Sequence, residues 1–187
     1  MNVPLAISTL FEPMIVLVAV AIFGGWKAGL RDRLFIYYCV YIVGFSLVIG
    51  LVRAISAKHT KTNWDISDRK KRIVPLVVLM TIFLGNMRIV RMWGNSELML
   101  LHAFWFVWVI GFLLLTIRIK ISGHLSVLTM AIGLMYRWVG NGAVLLFLCI
   151  PLVSWSRIRL KRHTFPEVLG GILYAVVLLL ALNSVPG

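Results

Sequence analysis

Leu34-Phe35-Ile36-Tyr37-Tyr38-Cys39-Val40-Tyr41-Ile42-Val43-Gly44-Phe45-Ser46-Leu47-Val48-Ile49-Gly50-Leu51-Val52 runs without a single charged residue. A helix that crosses a bilayer needs about 20 mostly apolar residues, within a range of about 17–25, to span the hydrocarbon core. This run meets that requirement and reads as a clean span. Upstream, Leu5 to Gly25 is long enough, but Glu12 and Pro13 interrupt it, so whether it crosses is left open. Downstream, Ile73 to Asn86 or a little beyond reads as a span, then Leu98 to Ile117. Ser122 to Trp138 and Asn141 to Trp155 are short spans joined at the tight-turn sequence Val139-Gly140-Asn141, and Phe165 to Leu182 is the last. Trp26, Trp64, Trp93, Trp138 and Trp155 fall near the ends of these runs, as an interfacial aromatic belt requires. No internal repeat, low-complexity tract or domain linker is visible. The expected architecture is all-α: an integral membrane helical bundle of six to seven transmembrane helices, with residues 1–187 as one domain.

Composition agrees. The chain of 187 residues is 61% hydrophobic and 13% charged, whereas soluble domains are about 45–50% apolar and about 25% charged. A water-soluble single-domain enzyme is excluded, and so is intrinsic disorder, because apolar area is abundant. With 15 Gly, 6 Pro and 2 Cys, collagen-like and disulfide-scaffold readings fall as well. Cys39 and Cys149 lie inside apolar runs and read as small core residues. The N-terminal run has neither a basic start nor a small-residue cleavage site, so no secretory leader is expected. Nineteen Lys and Arg against six Asp and Glu give a net charge of +13. In a membrane chain this excess fits cytoplasmic loops that fix orientation, or a pocket for an anion, and no nucleic-acid partner is expected.

The polar residues concentrate in three segments. Arg53 to Arg72 contains Asn63-Trp64-Asp65-Ile66-Ser67-Asp68-Arg69-Lys70-Lys71-Arg72. The second is Arg118-Ile119-Lys120-Ile121-Ser122-Gly123-His124, and the third runs from Ser156-Arg157 to His163-Thr164-Phe165-Pro166-Glu167. Two crossings separate each segment from the next, and an even number of crossings returns a chain to the same side. The motif loops 53–72, 118–124 and 156–167 are therefore expected on one membrane face, however the first run is read. Together they offer Arg69, Arg72, Lys120 and Arg157 beside Ser122 and the Gly123 backbone, a cradle for a tetrahedral oxyanion. Arginine suits phosphate because its planar fork donates two parallel hydrogen bonds. His124 and His163 can exchange protons near neutral pH. Glu167, four residues after His163, lies one helical turn away, where a carboxylate can hold one imidazole nitrogen and raise the basicity of the other.

Blander readings stand beside these. Arg159, Lys161 and Arg162 read as headgroup-facing cations, and Arg69 to Arg72 taken alone could be an orienting loop. His59 reads as a solvated loop residue. His102 reads as a hydrogen-bond partner to a neighbouring helix, and the Phe104 to Trp108 group as apolar bulk.

Ser156-Arg157, five residues, His163, three residues and Glu167 closely resembles the third signature of the type-2 phosphatidic acid phosphatase superfamily, Ser-Arg-x5-His-x3-Asp. Ser122-Gly123-His124 resembles its second, Pro-Ser-Gly-His, with Ile121 in place of Pro. The first, Lys-x6-Arg-Pro, is matched loosely: Asp65 stands seven residues before Arg72, and Pro75 follows Arg72 after two residues. The segment from Asp65 to Gly171 looks like a compact prokaryotic branch of that superfamily. The resemblance implies cofactor- and metal-independent phosphoester hydrolysis through a phosphohistidine. His163 would be the nucleophile, and His124 would protonate the leaving oxygen and then activate water. Arg157, Ser122 and Gly123 would hold phosphoryl oxygens, with Arg69, Arg72 and Lys120 as further cations. Glu167 replaces the family's Asp, and its longer arm should still reach His163.

Three rivals share some features. Vanadium haloperoxidases have similar signatures but are soluble. Asn63-x-Asp65-x-x-Asp68-Arg69 faintly resembles the magnesium motif of membrane prenyltransferases, which need a second aspartate cluster that six acidic residues cannot furnish. A non-enzymatic membrane protein with basic loops is the third. A polar cradle at a membrane surface suits a lipid phosphate: a polyprenyl phosphate or diphosphate, phosphatidic acid, phosphatidylglycerol phosphate or a lipid A phosphate. Thirteen of the nineteen Lys and Arg fall on the motif face, so the positive-inside rule sets that face towards the cytoplasm of an inner, plasma membrane. Oligomeric state is not legible.

Overall fold

Proline has no amide proton and disfavours helical geometry in the residue before it, and Pro13 divides the N-terminal apolar run in two. The computed structural model describes residues 2–59 and 68–184. Helix α1 covers Val3–Leu10, and α2, Pro13–Lys27, starts on the proline itself, with the Glu12 carboxylate accepting from the Met14 amide at 2.6 Å. The rest of the order is α3 (Asp32–His59), α4 (Arg69–Met92), α5 (Ser96–Arg118), α6 (Gly123–Val139), a 3-10 segment (Gly140–Leu148), α7 (Cys149–Arg159) and α8 (Phe165–Asn183). Among the described residues there is no strand. Six stretches are long and apolar enough to cross a membrane: Val3–Lys27, Asp32–His59, Lys70–Met92, Ser96–Arg118, Gly123–Arg159 and Phe165–Leu182. The chain is an all-α, multi-pass membrane protein.

The helices run further into the polar segments than expected. Arg53, Lys58 and His59 belong to the end of α3, and Arg69 to Arg72 form the first turn of α4. His59 is thus an exposed helix terminus and not a loop residue. Near a bilayer the backbone is best satisfied inside a helix, and long cationic side chains can reach out from it to the interface. Asp65 and the rest of 60–67 lie outside the described residues.

The chain divides into two compact units, Met1–Val20 with Ile121–Gly187, and Ala21–Lys120. In the second unit, α4 and α5 are joined by Trp93-Gly94-Asn95, with Gly94 at φ 65° and the Asn95 side chain capping Leu98. Tyr41 donates to Asn86 across α3 and α4, and Phe45 meets Phe83 edge-on at 5.3 Å. Trp105, Trp108 and Phe112 line the buried side of α5, so this aromatic group is core. Half of the apolar window of α5 is buried, against 17% for α3, and α5 is the most enclosed span.

In the first unit the turn expected at Val139-Gly140-Asn141 is present. Gly140 caps α6 at φ 59° and ψ −135°, a conformation that glycine reaches without a Cβ penalty. A straight helix would set Leu125 and Val153 about 42 Å apart. Instead Leu125, Leu128 and Ile132 of α6, Val153 of α7 and Val168 of α8 share one core cluster. The chain therefore folds back at Gly140, and α7 returns its last turn towards the start of α6. Ile7 and Phe11, from and just after α1, pack on the same cluster. Cys39 and Cys149 are both free and half-buried, more exposed than the core placement expected for them.

Candidate phosphate site

The corner between α7 and α8 explains the spacing of the third motif. Helix α7 ends in a Schellman arrangement: Lys161 N–H donates to the Ile158 carbonyl at 2.9 Å, and Arg162 N–H to the Arg157 carbonyl at 3.1 Å. Lys161 takes the left-handed conformation, φ 54°, that this cap requires. The His163 amide also donates to the Arg157 carbonyl, at 3.4 Å, so the backbone of 157 and that of 163 meet. One residue later Thr164 opens α8 in a capping box with Glu167, and Pro166 sits in the first turn, where its missing amide proton is not needed. His163 is thus fixed between the end of one helix and the start of the next.

Glu167 has two roles. Its Oε2 accepts the Thr164 amide at 3.3 Å as part of the cap, and lies 2.8 Å from His163 Nδ1. The side chain of His163 is 2% exposed and that of Glu167 19%, so the pair is largely withdrawn from water. A carboxylate on Nδ1 selects the tautomer with the proton there and leaves Nε2 with its lone pair. The expectation that the longer Glu arm reaches His163 holds.

The second motif is tied to this pair through the backbone. Ser122 is extended, φ −83° and ψ 112°, and caps α6, its Oγ accepting from the Leu125 amide at 3.5 Å. The Ser122 amide donates to the Glu167 carbonyl at 2.9 Å. Gly171 permits the approach: a Cβ there would stand 2.4 Å from the Ser122 carbonyl oxygen, and one on Gly170 would stand 2.9 Å from Ile121 Cγ2. Gly123 and His124 are the first two residues of α6. Their amides lie at a helix N-terminus, which favours an anion. His124 is buried, and Gly123 half-buried.

Arg157 is 2% exposed, in the last turn of α7, while Arg159 and Lys161 are exposed and Arg162 half-buried. Arg157 Nη1 donates to Ser8 Oγ of α1 at 2.7 Å, and Ser156 Oγ donates to the Pro4 carbonyl at 2.6 Å. Sequence reasoning missed Ser8, and no local signal marks it. One unit thus links Ser122, Gly123, His124, Arg157, His163 and Glu167. Arg69, Arg72 and Lys120 belong to the other unit. Arg72 is half-buried in the first turn of α4, Lys120 is half-buried in the segment after α5, and the Arg69 side chain is outside the described ones. His102 is buried, with Nδ1 2.8 Å from the Leu98 carbonyl; its partner is its own helix and not a neighbouring one. Among the described residues no three His, Cys, Asp or Glu side chains group as metal ligands.

A buried guanidinium, an oriented imidazole, a second buried imidazole and a helix N-terminus are the kinds of group that bind a tetrahedral anion and move protons on it. Compared with known proteins, the chain matches no family model, no curated protein and no solved structure.

Proposed function

We propose that the protein is a membrane lipid phosphatase that hydrolyses a lipid phosphate monoester or diphosphate through a phosphohistidine. The observation that carries the reading is the His163–Glu167 pair joined through the Arg157 carbonyl to a buried arginine and through the Glu167 carbonyl to the Ser122-Gly123-His124 turn. His163 Nε2 attacks phosphorus while Arg157 and the amides at the start of α6 take the phosphoryl oxygens. The P–O bond to the lipid breaks, and His124 gives that oxygen its proton. His124 then takes a proton from water, whose oxygen attacks phosphorus, the P–N bond breaks, and inorganic phosphate leaves. Glu167 keeps the proton on Nδ1 throughout and stabilises the positive charge that the imidazole gains.

A site set among apolar helices favours a substrate whose phosphate meets the polar cradle while its hydrocarbon stays in the bilayer. The positive-inside count favours a cytoplasmic active face in the plasma membrane. Phosphate release from impermeant short-chain lipid phosphates, measured in EDTA with inverted and right-side-out vesicles, tests all three points. Release in EDTA by inverted vesicles alone is the expected result. Strict magnesium dependence would overturn the proposed chemistry, and release by right-side-out vesicles alone would reverse the face.

A further inference from the structure

A buried arginine is useful to an anion only if its fork is aimed, because the guanidinium is planar and its donors lie in fixed directions. The side chain of Arg157 enters the core of its unit from the last full turn of α7, and one of its terminal nitrogens, Nη1, is engaged by an oxygen that comes from the far end of the sequence. Ser8 Oγ accepts from it at 2.7 Å, and Ser8 is itself only 7% exposed. The contact is not isolated. Pro4 and Ser8 stand one turn apart on α1, and they meet the adjacent α7 residues Ser156 and Arg157. Ile7 and Phe11 on either side of Ser8 pack into the cluster of Leu125, Leu128, Ile132, Val153 and Val168, so apolar contacts hold α1 in place independently of the hydroxyl. The break at Glu12-Pro13 ends α1 just after these contacts, so its angle need not follow that of α2.

We propose that Ser8 is a positioning residue for Arg157: α1 is a docked strap whose single buried hydroxyl fixes the plane of the phosphate-binding guanidinium. The inference rests on the phosphate-site reading above and adds to it a residue that none of the three motifs contains. With Nη1 held, the plane of the guanidinium is restrained before an anion arrives. Hydrogen bonds to charged groups are among the stronger ones in proteins. The hydroxyl therefore sharpens the orientation of a group whose position is already set by the backbone of α7.

The test uses the full chain in detergent micelles and orthovanadate as the probe, a tetrahedral oxyanion that needs no turnover to report binding. Vanadate affinity and thermal unfolding are measured for the wild type and for Ser8→Ala, Ser8→Thr and Ser8→Val. Removing the hydroxyl in Ser8→Ala should weaken vanadate binding about tenfold, with little change in the unfolding midpoint because Ile7 and Phe11 still dock α1. Thr keeps the hydroxyl and should retain near wild-type affinity, while Val, of nearly the same shape without it, should show the Ala loss. This Thr–Val pair keeps the role testable even if the Ala protein does not fold. Wild-type binding with unchanged or tighter binding in the Ala and Val variants would overturn the role of Ser8 alone. A wild type that does not bind vanadate would overturn the phosphate-site reading and the role of Ser8 with it.

Discussion

Two stretches of basic residues begin and end helices in opposite ways. Arg69, Lys70, Lys71 and Arg72 crowd the first turn of α4, where the helix dipole is positive, with only Asp68 as cap. Arg157 and Arg159 occupy the last turn of α7, where the dipole is negative and favours them. Each exposed cation at the wrong end costs roughly 0.3–1 kcal/mol at low salt, so the α4 cluster exists in spite of its helix. Lys70 and Lys71 are exposed, as charges that meet an anionic membrane surface would be. In the α7 stretch Arg157 turns inward and Arg159 stays outside. Charge count alone therefore does not separate these cations; burial with a fixed partner does.

The largest effect that would break or sharpen this contrast comes from the two histidines. If His163 is the nucleophile of the proposed reaction, His163→Ala should abolish turnover of every substrate. His124→Ala should lose about 10²–10⁴-fold on a lipid monophosphate, whose alkoxide needs a proton to leave. It should lose far less in phosphorylation by an activated ester such as nitrophenyl phosphate, and acid-labile phosphoprotein should accumulate. Equal losses on both substrates with no trapped phosphoprotein would sink the division between nucleophile and acid.

Next in size is the buried arginine itself. Arg157→Lys keeps the charge and loses the planar fork, and should lower kcat/KM by about 10²-fold or more. Arg159→Lys, two residues along on the exposed side, should leave kcat/KM near the wild-type value. Similar behaviour at the two positions would erase the distinction between the inward and outward cations.

The smallest expected effect lies in the packing that joins the second motif to the third. Gly171→Ala sets a methyl against the Ser122 carbonyl oxygen and must push α8 and the start of α6 apart. Overpacking of this kind costs about 1–3 kcal/mol, read as a lowered midpoint in thermal unfolding. An unchanged midpoint would mean that the two helices approach each other with slack.

Much of the fold was legible because the bilayer sets a length scale that apolar runs must meet, and Gly140 marked the fold-back by chemistry that few other residues supply. The 3-10 character of Gly140–Leu148 was not legible, since Gly-Asn-Gly-Ala-Val-Leu-Leu-Phe-Leu carries no pattern that separates it from a short α-helix. At the site, the four-residue step from His163 to Glu167 gave the pair directly. The capping box of Thr164 and Glu167, which sets where α8 begins, was not part of that reading. Arg157 and Arg159 flank the same residue, Ile158, and charge alone does not tell them apart; the motif separated them and the packing supplies the reason. Ser8 could not be found, because its partner lies 149 residues away.

That separation has a consequence for biosynthesis. Helix α1 leaves the ribosome well before the residues it docks against, which are made only after the whole of Ala21–Lys120 has been translated. At about 5–20 residues per second, Ser8 waits roughly 7–30 s before Arg157 is synthesised. Through that interval its hydroxyl, and the apolar faces of Ile7 and Phe11, must be sheltered by lipid or by the insertion machinery. Closure of the first unit thus waits until Ala21–Lys120 has been made, and Arg157 meets Ser8 only after that.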